Sequence, residues 1–567
     1  MVILKRAINS INAAALLIGA AGLLSRLLGV LRDRLLAGIF GASRELDIYY
    51  AAFQIPDFLF TLFLLGASAV AILPVFTQVK EADPGKARKL IEELAGIFLL
   101  GALVLGLMAV ILAPFIIPWL APGFSVKEQE LTVILGRIMM LSPILLGLSG
   151  IVSAVIQSYR RFFVFALSAI FYNLGIIAGI LFFLPFWGLP GLALGVVLGA
   201  SMHILVQLPT FFELGFGLNL FNSIKVFKTG LTRGVIKVLS LSIPRVIALS
   251  VNNLTNMVLI AIASTLAVGS ISVFQFASNL SYIPIGLFGI SFSVAAFPAL
   301  SEHFIHKDAE SFLITFYDTL RSVLFWVLPL VSLFYVLRAQ IVRVALGAGR
   351  FDWQDTRLTA AALGISVLAI MAQSLLPLLI KSFYALDNTK KPLLLNLCFA
   401  FFTVAAAFLF LQILAGQNFF SAFLKNLLRI GDLGEVRILG IVLAVALGGV
   451  ANVFFLGRAL LAEIRLRLGE NKTALGMKEV GKMVLASLAA GFIAYGSLRL
   501  INLVVTLDTF WGVFIQGATA GLVGFAIYGL LLYFFKNREI NRLLEIFKNH
   551  FFTIRILPRQ LDGNNIK

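Results

Sequence analysis

Apolar runs of about 20 residues, separated by short polar connections, recur from one end of the chain to the other. Each run is long enough to cross the hydrocarbon layer of a bilayer as a helix. The alternation at period two that a membrane β-barrel requires is missing. The runs predict fourteen spans, near 9–40, 46–78, 91–121, 127–158, 162–185, 189–213, 235–265, 269–302, 311–337, 356–384, 392–415, 436–463, 480–504 and 508–535.

Two pairs of segments repeat within this pattern. Residues 54–78 (QIPDFLFTLFLLGASAVAILPVFTQ) and 282–302 (YIPIGLFGISFSVAAFPALSE) both open on Ile-Pro and end near a second proline, Pro74 and Pro298. Residues 157–173 and 382–398 match at a similar offset. The expected fold is therefore an all-α polytopic membrane protein. Two repeated six-helix lobes would surround a central cavity, with two further helices at the C-terminal end. The divisions fall at 1–213, 214–463 (linker and second lobe), 464–535 and a basic tail at 536–567. An even number of spans per half predicts parallel repeats, a common transporter plan with the substrate site between the halves.

Composition agrees with the hydropathy pattern. The 567 residues are 60% hydrophobic and 13% charged, with mean hydropathy +1.01, against about 25% charged in soluble domains. The formal net charge of +18 does not point to nucleic acid, because Lys and Arg gather in alternate short loops, at 5–6, 80–89, 160–161, 225–237, 303–307, 390–391, 465–482 and 536–559. That alternation marks those loops as cytoplasmic and puts both termini inside. The N-terminal stretch imitates a signal peptide, but it runs into charged sequence without a polar break and is read as a retained helix. Cys398 is the single cysteine, so no intramolecular disulfide forms, and no Cys/His cluster has metal-ligand spacing. No P-loop, HExxH or nucleophile-elbow pattern occurs, which disfavours an enzyme.

Charge inside apolar runs is the main functional signal. The first span carries Arg26, Arg32, Asp33 and Arg34. Each ionisable group at a bilayer centre costs roughly 2.5–3.5 kcal/mol on insertion scales, and such groups face a bundle interior or a watery cavity. Arg26 and Asp33 share a helical face, and a bend at Gly29 would bring Arg32 to it; Arg34 is placed to snorkel. A structural ion pair is the bland reading, but two arginines outnumber one aspartate, and guanidinium groups suit phosphate. Asp47 opens the second span and is expected either to hold a first-span arginine or to be solvated at the outer interface. Asp57 follows Pro56 within the apolar run and has no evident role. In the seventh span Arg245 could serve the cavity, and Asn252 and Asn256 share a face that could bind a cation through amide oxygens or bond between helices. Gly191, Gly195 and Gly199, like Gly517 and Gly521, mark close helix packing, or more sharply a dimer interface. The tail after 535 reads as an amphipathic surface helix or a solvated one.

The segment SRLLGVLRDRLLAGIFGASRELDIYYAAFQIPD at 25–57, continuing into GASAVAILPVFTQ at 66–78, resembles the MurJ/MviN family of lipid II flippases within the multidrug/oligosaccharidyl-lipid/polysaccharide exporter superfamily. LGAGRFDWQDTRLTAAAL at 346–363 and FYALDNTKKP at 383–392 look like the same family. The resemblance implies a transporter of the bacterial cytoplasmic (inner) membrane. It would move undecaprenyl-pyrophosphate-linked peptidoglycan precursor from the inner to the outer leaflet by alternating access, with no cofactor. Coupling to sodium, a proton or the membrane potential stays open. Arg26, Arg32 and Asp33 match the family's first-helix cavity charges, and Asp47 its aspartate at the second span.

Two family arginines are absent, replaced by Phe60 and, near the matching position of the eighth span, Asn279. Arg245 is expected to supply the missing cation. The alternatives are a flippase for another polyprenyl-pyrophosphate oligosaccharide or a multidrug exporter of the superfamily, the latter at odds with the arginine excess. A membrane enzyme on lipid-linked sugars and a non-transporting scaffold are the remaining classes.

Overall fold

The computed structural model describes the backbone of residues 11–217, 231–416, 418–469 and 476–553, and among these it contains helices and no strand. The first span is one helix, α1 (Ile11–Phe40). The second is broken into α2 (Arg44–Ala52), α3 (Gln54–Ala67) and α4 (Ala69–Ala82). Then follow α5 (Pro84–Leu120), α6 (Val126–Met139), α7 (Leu141–Ser158), α8 (Phe162–Ala178), α9 (Leu189–Leu205), α10 (Arg233–Ser264), α11 (Ser270–Pro284), α12 (Ser291–Ile305), α13 (Ala309–Val336), α14 (Trp353–Ala385), α15 (Lys390–Ala415), α16 (Ile438–Leu468), α17 (Met477–Ile501), α18 (Phe510–Phe534) and α19 (Arg538–Thr553).

Twelve stretches among the described residues are helices long and apolar enough to cross a membrane, from 84–120 to 510–534. The expected fourteen exceed this by the first two spans. The described part of α1 carries Arg26, Arg32, Asp33 and Arg34, and the second span never runs unbroken for a membrane's width.

Local chemistry sets these boundaries. Pro56 has no N–H to give the carbonyl of Ala52, so the backbone changes course at Phe53 and restarts with Asp57 N–H donating to Phe53. Ser68 interrupts it again with ψ 108°. The repeat partner is irregular at the equivalent place: after Pro284, residues Ile285–Ile290 form a π-helical turn. The second repeated pair agrees in finer detail. Arg160 and Asp387 are both left-handed, with φ 57° and 54°. In each case the next residue donates five residues back, Arg161 to Ile156 and Asn388 to Phe383. Caps fix other ends. Asp83 accepts from the N–H groups of Gly85 and Lys86 to start α5, and Asp308 accepts from Ser311 to start α13. These backbone donors hold both carboxyls below the usual carboxylate range.

The chain packs as two compact units, a division that differs from the sequence boundaries. Of the described residues, the first comprises those within 1–283, 342–366 and 389–452, the second those within 284–341, 367–388 and 453–553. In the first, α1 lies on α8, α8 on α9, and α10 packs along α3, α4 and α5 and against α15. In the second, α13 packs on α12 and α17, and α17 on α18. The glycine stripe of α9 faces α8. A Cβ on Gly195 would sit 2.6 Å from the Cα of Gly179, and one on Gly199 2.4 Å from the carbonyl oxygen of Tyr172. Gly517 likewise faces Gln340, at 3.1 Å. The seams are thus internal contacts of the chain. Helix α19 is amphipathic, as the tail sequence suggests, and its Arg538 and Arg542 approach Asp318 of α13 at 3.5 and 3.9 Å.

Candidate functional site

The charged face of α1 meets α11 within the first unit. Asp33 is 6% exposed. Its Oδ1 accepts from Nε and Nη2 of Arg32 at 3.0 and 2.8 Å, and its Oδ2 from Nδ2 of Asn279 at 3.0 Å. Seven residues earlier, Arg26 donates through Nη1 to the carbonyl of Ile283 at 3.1 Å. Arg26 and Asp33 therefore do share a face, and α11 is what they face. No kink at Gly29 is needed for Arg32 to join them, since α1 runs unbroken. Arg26 and Arg32 are half-buried, and neither Nη2 of Arg26 nor Nη1 of Arg32 donates to any described residue. Asn279, standing where a cation was expected, offers Asp33 a neutral donor. Tyr50 belongs to the same neighbourhood. Its ring is edge-on to Phe276 at 6.0 Å, and its buried hydroxyl finds no partner among the described residues.

Asp47 departs from both expectations. It is 1% exposed and bonds no arginine of α1. Its Oδ2 accepts from the N–H of Gly269 at 2.7 Å, and its Oδ1 from the N–H and Oγ of Ser272 at 2.8 and 2.7 Å. The carboxylate caps the start of α11, where free N–H groups and the helix dipole favour an anion. Further contacts gather at this end of α1. Arg34 donates to the carbonyl of Val344 at 2.6 Å rather than snorkelling, Arg350 N–H to Gly38 at 2.8 Å, and Ala42 N–H to Asp355 at 3.0 Å. Gly269 is left-handed at φ 85°, and a Cβ there would lie 2.2 Å from the carbonyl oxygen of Ala42. Nearby, Arg357 clamps Asp432 and the carbonyl of Arg429, a pairing that holds the exposed Asp432 carboxyl down to about 2.

Two amide residues of α10 make interhelical bonds. Asn256 donates to Gln54 at 3.1 Å, and Asn253 to Thr61 at 2.6 Å, while Asn252 is exposed and bonds no described residue. The side chain of Arg245 lies outside the described residues. Among the described residues no group of three or more His, Cys, Asp or Glu could hold a metal.

Ionisable groups bonded inside a bundle of membrane-length helices place the chain among polytopic helical membrane transporters. The chain belongs to the lipid II flippase MurJ family, whose model matches residues 36–515. A probable lipid II flippase MurJ of Haemophilus influenzae is 26% identical over 540 residues, 90% of this chain and 99% of the relative. The lipid II flippase MurJ of Burkholderia cenocepacia is 27% identical over 388 residues, 67% and 74% of the two chains. Among solved structures, a lipid II flippase MurJ in an inward closed conformation superposes with TM-score 0.70 at 24% identity, covering 92% of this chain and 98% of that one. An inward-facing multidrug resistance MATE transporter of the MOP superfamily gives 0.60 at 14% identity, over 77% and 95%. The fold is thus that of the exporter superfamily expected from the sequence.

Proposed function

We propose that this chain carries lipid II, an undecaprenyl-pyrophosphate-linked disaccharide-peptide, from the inner to the outer leaflet of a bacterial cytoplasmic membrane, acting as a transporter without catalysing a reaction. The observation that carries the reading is the face of α1. Arg26 and Arg32 are kept half-buried in apolar surroundings with guanidinium nitrogens left over after their protein bonds. A pyrophosphate supplies paired anionic oxygens that a planar guanidinium fork can grip in bidentate fashion. Asp33 orients Arg32 and competes with the ligand for it, so that binding stays reversible. Asn279 fixes Asp33 in place of a second cation. The polyprenyl tail remains in lipid while the head group occupies the protein.

Alternating access supplies the movement, and the ligand shifts it only by its differential affinity for the two states. The alternation of basic loops supports an orientation with both termini in the cytoplasm. On that orientation the Asp47–Gly269–Ser272 latch and the Arg34–Val344 and Ala42–Asp355 bonds lie at the outer end of the first unit, and we read them as a closed outer gate. Another polyprenyl-pyrophosphate oligosaccharide presents the same phosphates and is the second reading.

The test is depletion rescue in a bacterium deprived of its own lipid II flippase. The intact chain should restore growth, and an Arg26→Ala/Arg32→Ala variant made to the same membrane level should not. Growth restored equally by both would refute the role of these arginines. No rescue by the well-expressed intact chain would refute lipid II as substrate.

A further inference from the structure

One buried hydroxyl beside the arginine face has no use in the bonding described so far. Tyr50 of α2 is 7% exposed, and its hydroxyl finds no hydrogen-bond partner among the described residues. A hydroxyl taken out of water without a partner is costly, so it calls for one in another state of the protein. The ring is wedged in place. It lies 5.6 Å from Tyr49 and edge-on to Phe276 at 6.0 Å, and Phe276 is in turn edge-on to Phe351 at 5.8 Å. The main chain is held as well: the carbonyl of Tyr50 accepts from Gln54 Nε2 at 3.2 Å, and Gln54 Oε1 accepts from Asn256 at 3.1 Å.

Asp33 and Arg32 are the neighbours of this hydroxyl, and both interact with it electrostatically. The face of α11 that packs on the ring is also the face that fixes the carboxylate. Phe276 stands three residues before Asn279, which puts the two on one side of the helix, and Asn279 donates to Asp33 Oδ2. One turn of α11 therefore carries the contact to Tyr50 and the contact to Asp33.

The bonding of Asp33 is unequal. Arg32 supplies both bonds to Oδ1, at 3.0 and 2.8 Å, whereas Oδ2 has one from Asn279. A pyrophosphate that grips Arg32 in bidentate fashion competes for the nitrogens that now hold Oδ1. Drawing them away strips Oδ1 of its donors while the residue is 6% exposed, and a buried charge that loses its partner is strongly destabilising. Asn279 is already committed to Oδ2. A phenol is a donor at neutral pH, and its bond to a carboxylate is short and strong. Tyr50 brings such a donor with nothing else to hold.

We propose that Tyr50 is a positioning residue for the pyrophosphate head group: as the ligand draws the Arg32 fork off Asp33, the Tyr50 hydroxyl donates to Asp33 Oδ1 in its place. The handover frees Arg32 for the phosphates without stranding the carboxylate, and it reverses when the ligand leaves. Tyr50 acts through Asp33 and does not touch the lipid. The proposal rests on the flippase reading, since it takes Arg32 as a phosphate ligand.

The experiment uses the purified full chain in nanodiscs. Equilibrium binding of undecaprenyl pyrophosphate is measured for the intact chain and for Tyr50→Phe, and thermal unfolding without ligand is followed in parallel. Tyr50→Phe keeps the ring and removes a hydroxyl that bonds nothing in the ligand-free protein, so its melting temperature should be equal or higher. Its affinity for the lipid should nevertheless fall on the order of tenfold, the effect of one charge-assisted hydrogen bond. A hydroxyl with a purely structural role would lower stability and binding together. In an Asp33→Asn background the further change Tyr50→Phe should not alter binding, because a neutral amide needs no replacement donor. Infrared difference spectra of the intact chain, with and without the lipid, should show a tyrosine C–O band shifting on binding. Undiminished affinity in Tyr50→Phe overturns the proposal, as does a lowered melting temperature, an equal loss in the Asp33→Asn background, or the absence of a tyrosine band shift. No binding by the intact chain overturns the flippase reading and the proposal with it. Binding by the intact chain that Tyr50→Phe leaves unchanged overturns the proposal alone.

Discussion

Replacing Asp47 by Ala tests the latch directly. The carboxylate accepts three hydrogen bonds at 2.7–2.8 Å while 1% exposed. Hydrogen bonds to a charged group are worth roughly 1.5–3 kcal/mol each, but they are not additive. In the variant the N–H groups of Gly269 and Ser272 stay at the start of α11 without an acceptor. Part of the loss is recovered by water entering the truncated site, so a net cost of about 2–4 kcal/mol is expected. That is a ~30- to ~900-fold shift from latched to unlatched.

The assay is amide hydrogen exchange over residues 266–273 in detergent or nanodiscs. Protection of the Gly269 and Ser272 amides should fall by that factor, while the amides of α17 keep theirs. Asp47→Asn should fall between, because the amide retains one acceptor oxygen but turns an NH2 toward the other donors. Unchanged exchange at Gly269 and Ser272 in Asp47→Ala would refute the argument that this carboxylate holds the end of α11.

The helix seam and the loop clamp give two more expectations. Gly179→Val should lower the melting temperature, because a Cβ there would be 2.3 Å from the Cα of Gly195 and the backbones must separate at a cost of about 1–3 kcal/mol or more. Gly101→Ala, with nothing within 4 Å, should be neutral or stabilising by up to ~1 kcal/mol, and equal effects from the two would refute the packing account. Because its carboxyl is depressed to about 2 by Arg357, Asp432 should contribute fully above the unfolded carboxylate range near 4 and lose its contribution as pH falls through about 2. Carboxyl-carbon NMR, with the resonance assigned by its loss in Asp432→Asn, should show that low midpoint; titration near 4 would disprove the clamp.

Hydropathy alone determined the class of this protein, because in lipid every backbone polar group must be satisfied within its own helix and a run of apolar residues admits little else. The paired Ile-Pro segments were also legible. Ile55-Pro56 and Ile283-Pro284 predicted matching spans, and the structure makes both irregular. The shared face of Arg26 and Asp33 followed from a spacing of seven, since helical geometry is local. What periodicity lacks is the identity of a partner more than 200 residues away. Asp47 was open between an arginine and solvent, and only the approach of Gly269 and Ser272 made it the cap of another helix. Asn279 looked like a missing cation until Asp33 was found beside it. Asn256, a candidate ion ligand on its own helix, is occupied by Gln54. Asp57 had no readable role, because the side chains around it are scattered from Ser25 to His203. A sequence sets which way a side chain points from its helix axis; tertiary packing alone decides what waits there, and so whether a buried charge becomes a cap, an ion pair or a binding site.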